Sequence, residues 1–69
     1  MGNAKLFQYA VIWNPSELQE EQGEKSKLIV NLTTVLAKSD KSVGLMAAKA
    51  VPEEYNEELE QIDIMIRPF

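Results

Sequence analysis

The chain has no cysteine and no histidine, and it holds only three glycines, three prolines and one tryptophan among its 69 residues. Without cysteine there is no disulfide framework, which argues against the oxidising compartments where small secreted domains depend on such bridges. Without histidine or cysteine there is no Ser-His-Asp or Cys-His nucleophile system, and no tetrahedral zinc site of the usual ligand set. No apolar run reaches transmembrane length, and the chain does not open on a basic stretch followed by an apolar one, as a secretory signal would. Met1-Gly2 begins like an acylation motif, but Leu6 stands where serine or threonine is needed. Asn31-Leu32-Thr33 has the form of a glycosylation sequon, which without a secretory signal is read as strand composition. These absences lead us to expect a cytoplasmic protein that is not an enzyme, with no catalytic residues, no metal, no cofactor and no membrane partner.

What is present is a hydrophobic fraction of 45%, ordinary for a globular chain and too high for a disordered one. The net charge of −4 is unevenly placed. Residues 1–51 carry six lysines against five acids, whereas residues 52–69 carry six acids against the single arginine, Arg67. Phosphate backbones attract clustered Lys and Arg, so this balance excludes nucleic acid as an expected partner. A domain this short buries only about 60% of the surface its unfolded chain exposes. With no disulfide or metal to add stability, oligomerisation is the common remaining aid, and a homo-oligomer is expected.

The organisation is a single domain over 1–69. Lys5 to Trp13 reads as a strand apolar on both faces, as a central or doubly covered strand is. Asn14-Pro15-Ser16-Glu17 ends it, with Asn14 as a helix cap and Pro15 in the first turn. Residues 14–25 are polar, have one large apolar residue in Leu18, and read as a mobile connection with one or two helical turns that Gly23 closes. Lys27 to Ala37 is the clearest strand, uncharged from Leu28 to Leu36 and flanked by lysines that act as gatekeepers. Ser39 or Asp40 caps a helix running to about Val51, with Val43, Met46, Ala47 and Ala50 on its apolar face. Pro52 stops it, and one further turn brings Tyr55 back toward the core. Gln61 to Arg67 is the last strand, with Ile62, Ile64 and Ile66 on one face.

The order β-β-α-β predicts an α+β fold: a three-stranded mixed sheet with one helix packed on one face. A right-handed crossover through the helix makes the second and third strands parallel in direction. The first strand then sits between them, giving the preferred order 2-1-3, with 1-2-3 as the alternative. The helix-covered face is expected to hold Phe7, Tyr9, Val11 and Trp13 with Leu28, Val30, Leu32, Ile62, Ile64 and Ile66. The opposite face is expected to expose Leu6, Ala10, Ile12, Ile29, Val35 and Met65, interrupted by Gln8, Asn31, Thr33, Asp63 and Arg67. One helix cannot cover both faces, and contiguous exposed apolar surface marks an interface. That face, or the uncharged edge at 28–36, is the expected oligomer contact.

Little else carries chemistry. Glu53, Glu54, Glu57 and Glu58 lack the spacing of a calcium loop and read as solvated acids. Asp40-Lys41-Ser42 has no glycine-rich loop beside it and reads as helix capping. Gly44, inside the helix, suggests close packing against a strand. Phe7, Tyr9 and Trp13 interleave as in a nucleic-acid stacking sheet, but lack neighbouring basic residues and read as core. Arg67 is expected to pair with Asp63 or with a glutamate of another subunit. Tyr55 and Arg67 are the remaining weak binding candidates.

Phe7-x-Tyr9-Ala10-Val11, Asn14-Pro15, Thr33-Thr34-Val35-Leu36-Ala37, Ala47-Ala48-x-Ala50-Val51-Pro52-Glu53-Glu54-Tyr55 and Arg67-Pro68-Phe69 together resemble a group of small proteins of tailed bacteriophages. The resemblance spans nearly the whole chain and brings no activity or binding residues with it. It implies a viral protein made in the host bacterial cytoplasm. The leading expectation is a small acidic interaction protein, a phage accessory protein that binds a host or phage protein as a homo-oligomer. The alternatives are a virion or assembly component, and a binder of a nucleotide-like small molecule through Lys27, Lys38, Lys41 and Arg67.

Overall fold

The computed structural model describes residues 3–69; Met1 and Gly2, which open the failed acylation motif, lie outside the described residues. Strand β1 is Lys5–Trp13, helix α1 is Glu17–Glu21, strand β2 is Lys27–Ala37, helix α2 is Asp40–Ala50, and strand β3 is Ile62–Pro68. A 3₁₀ segment, Glu53–Gln61, lies between α2 and β3. The sheet order is β2-β1-β3. Both neighbouring pairs are antiparallel. The sheet is thus antiparallel throughout rather than mixed: β2 and β3 run the same way, as the crossover implies, but β1 lies between them and no parallel pair forms. The α+β fold and the central place of β1 are as its two apolar faces imply.

The core is small. Tyr9, Val11, Ala37, Val43 and Ala47 are buried together, with Phe7, Ile29, Val30, Val35, Val51, Ile62 and Ile66 packed around them. The odd residues of β1 therefore face α2. From α2 only Val43 and Ala47 are buried. Met46 and Ala50, expected on the same stripe, are exposed, because a helix crossing a three-stranded sheet touches it along a narrow line. Ser39 is the N-cap of α2, accepting from the Ser42 backbone N–H at 3.2 Å.

The segment after β1 differs in detail from its expected form. Ser16, not Asn14, caps α1, in a reciprocal box with Gln19. The Asn14 side chain is used instead as a clasp: its Nδ2 donates to Asp63 at 2.6 Å, and its Oδ1 accepts from Ser26 at 2.8 Å. Gln61 Nε2 donates to the Asn14 carbonyl and to Gln19 Oε1. Polar contacts thus hold a connection that has almost no apolar residue to bury. Gly23 adopts φ +91°, closing α1 as expected. The expected single turn after Pro52 is instead a 3₁₀ segment of nine residues, broken at Glu58 where φ is −119° and ψ 30°. That break fits the short runs that 3₁₀ geometry tolerates.

Candidate functional site

The register decides which side chains share the uncovered face. Antiparallel partners lie on the same side of a sheet. Along β3, Phe7, Tyr9, Val11 and Trp13 oppose Pro68, Ile66, Ile64 and Ile62, so the isoleucines lie on the helix side as expected, although Ile64 stays 38% exposed and only Ile62 and Ile66 pack against the core. Gln8, Ala10 and Ile12 oppose Arg67, Met65 and Asp63 on the open side. Along β2, Lys5, Phe7 and Tyr9 oppose Ala37, Val35 and Thr33, whereas Leu6 and Gln8 oppose Leu36 and Thr34.

The parity of β2 is therefore the reverse of the expected one over its second half. Leu32 and Leu36 are not under the helix but on the open face, and Leu28, opposite Ile12, joins them. They are 53%, 61% and 56% exposed. Val35 and Ile29, expected on the open face, are instead packed against the core, and Thr33 and Thr34 exchange sides. The cause is local. Val11 pairs with Val30, and the register slips on both sides of that pair, so β2 carries extra residues there. The turn into α2 then fixes the far end. Only Lys38 and Ser39 separate β2 from the helix, and Ala37, small and 5% exposed, lets Val43 and Ala47 approach.

Of the expected interface residues, the structure brings Leu6, Ala10, Ile12 and Met65 together on the open face and withdraws Ile29 and Val35. Leu28 and Leu32, expected under the helix, are further members of the open face, and so is Leu36, which the expectation placed on neither face. The short Ala37-Lys38-Ser39 link was the signal that could have found them. Between Leu32 and Met65, the small Ala10 leaves a hollow of about 310 Å³. A polar row crosses the face: Arg67 Nε donates to Gln8 Oε1 at 2.8 Å, and Gln8 Nε2 donates to Thr34 Oγ1 at 3.4 Å. Arg67 is thus held by Gln8, and Asp63 by Asn14, in place of the expected ion pair between them. The reason is the strand's length per residue: Asp63 and Arg67 are four residues apart along β3, with Met65 between them on the same face, and each is farther from the other than from its cross-strand neighbours.

The opposite end of the sheet is closed. Trp13 is 2% exposed. Its indole N–H donates to Glu58 at 2.8 Å, the Tyr55 ring lies at 6.4 Å in a tilted pair, and the Lys27 ammonium sits 5.0 Å from the ring centroid. Tyr55 and Glu58 therefore serve to dock the 3₁₀ segment on the sheet. Among the described residues, no group of three or more carboxylates converges as metal ligands do. No buried side-chain polar atom among them lacks a hydrogen-bond partner. No helix among them is long and apolar enough to cross a membrane.

No family model matches this chain, and neither a curated protein nor a solved structure matches it. The likeness to tailed-phage proteins rests on the quoted residues alone.

Proposed function

We propose that this protein is a non-enzymatic interaction module that pairs with a second copy of itself through the open face of its sheet. One observation carries the proposal: Leu6, Leu28, Leu32, Leu36 and Met65 are each between 46% and 61% exposed on a single face. Exposed apolar surface gathered in one place is the mark of an interface.

Shape and charge favour a second copy as the occupant. The radius of gyration is 13.8 Å, against about 11 Å for a compact domain of this length. A long, thin sheet with a helix on one side has half a core, and an identical face supplies the other half. The charges that the register places on this face are Asp63 and Arg67. A two-fold pairing is self-complementary, so each arginine can meet the partner's aspartate. The alternative contact, the outer edge of β2, is less suited. Its register slips bend the strand, and bulges of this kind blunt edges against pairing.

Sedimentation equilibrium on untagged protein tests the reading. The expected result is a mass of twice 7.8 kDa, reduced to a folded monomer by Leu32→Lys. A wild-type monomer at millimolar concentration overturns it and turns attention to a different protein as the occupant. Taken with the residues that resemble tailed-phage proteins, this reading makes the chain a phage accessory protein of the bacterial cytoplasm or a virion component. Mass spectrometry of purified particles separates these two.

A further inference from the structure

We propose that the cleft between the start of β1, the end of β3 and the first turns of α2 binds a small anion carrying a flat apolar body, the chemistry of a nucleoside polyphosphate. The site is distinct from the pairing face: Lys5 and Phe7 lie on the helix side of the sheet, opposite Ala37 and Val35.

The cleft is open to solvent and measures about 820 Å³, within the range of roughly 300–1,000 Å³ common for small-molecule sites. Lys5, Lys38 and Lys41 line it. These are half of the chain's six lysines, Lys5 from the start of β1 and Lys38 and Lys41 from the turn into α2, gathered in one place in a protein of net charge −4. Asp40 is the only acid among the lining residues. Arg67 borders the cleft, but its Nε is committed to Gln8 on the far face, so it adds nothing to the argument. Ammonium groups on flexible stems bind phosphate as point charges. Phe7, Leu45 and Ile66 supply apolar lining, and Leu45 is 62% exposed with nothing yet to cover it.

Gly44 is the independent observation. Glycine inside a helix costs stability relative to alanine. Close packing, the role its sequence position suggests, does not account for it. A Cβ there would meet only Ile66 Cδ1, at 3.7 Å, an ordinary contact. The glycine lines the cleft, and the absent side chain leaves room for a bound molecule to lie against the helix. The helix end itself is not the basis of the proposal, since Ser39 already caps the Ser42 N–H.

Isothermal titration with ATP and with inorganic tripolyphosphate, at low salt and without magnesium, tests the site. The expected result is one ATP per chain, with tripolyphosphate at least tenfold weaker because it lacks the apolar body. The double variant Lys38→Gln/Lys41→Gln weakens ATP at least tenfold, while Lys49→Gln, which removes an exposed lysine at the far end of α2, leaves it unchanged. Three outcomes overturn the proposal: no heat with ATP, equal affinity for tripolyphosphate, or equal affinity in the double variant with its circular dichroism spectrum intact. None of these bears on whether the chain pairs with itself.

Discussion

The two faces of β1 are made of similar residues and have opposite fates. Tyr9, Val11 and Trp13 on one face are 7%, 0% and 2% exposed, whereas on the other Leu6 is 46% exposed and Gln8, Ala10 and Ile12 are half-buried. What separates them is the location of α2, which covers one side of the sheet and has no counterpart on the other. Hydrophobicity alone does not bury a side chain; a neighbouring element must be present to exclude water from it. The same lesson holds one residue apart on β2, where Leu28 is exposed and Ile29 packs against the core.

The comparison breaks first at the covered face. Trp13→Ala removes a buried ring, its hydrogen bond to Glu58 and its contact with Tyr55. We expect a loss of about 3–5 kcal/mol, enough to unfold much of a domain this small. Thermal melting followed by far-ultraviolet circular dichroism reads it, since the only tryptophan is the one removed.

A sharper test sets neighbours against each other. Ile29→Lys places a charge against the core and is expected to lower the unfolding midpoint in urea by a cost of about 2 kcal/mol or more. Leu28→Lys changes an exposed side chain, so the isolated chain should keep its stability within about 0.5 kcal/mol. Its effect should appear in sedimentation as a shift toward monomer. Equal effects of both substitutions on urea unfolding would refute the assignment of faces.

Much of this contrast was legible in the sequence. The element order, the central position of β1, the isoleucine face of β3, the Gly23 turn and the existence of an uncovered apolar face all follow from period-two alternation and cap chemistry. The assignment of β2 was legible only from its far end, where the short Ala37-Lys38-Ser39 link to α2 turns Ala37 inward. Leu28, Val30, Leu32 and Leu36 are larger than Thr33 and Ala37, so alternation alone puts them inward. Register slips on either side of Val30 leave Val30 inward and turn the leucines out, and nothing in the residue types near Val30 announces them, because a bulge here needs no glycine. Of the cleft, Lys38, Lys41 and Arg67 were singled out by type. Lys5 was not, because only the sheet brings the start of β1 beside the first turn of α2.

Smaller effects refine the picture at the two ends of the sheet. Glu58→Ala leaves the buried indole N–H without its acceptor. The expected cost is about 1–2 kcal/mol, measured by urea unfolding, with Glu58→Gln recovering part of it. At the other end, Gly44→Ala is expected to stabilise the unliganded chain by about 0.5–1 kcal/mol, through helix propensity and a less flexible unfolded state. A rise in melting temperature checks this, and a fall would refute the reading of the Ile66 contact at 3.7 Å as an ordinary one.

By itself, the sequence determined that this is a single β-β-α-β unit with more apolar faces than its one main helix can cover, because alternation, capping and glycine or proline punctuation act within a few residues along the chain. Only the tertiary structure decided which leucines are left in water and which lysines meet in one cleft. Those outcomes depend on register between strands distant in sequence, and a shift of one residue reverses them at little local cost.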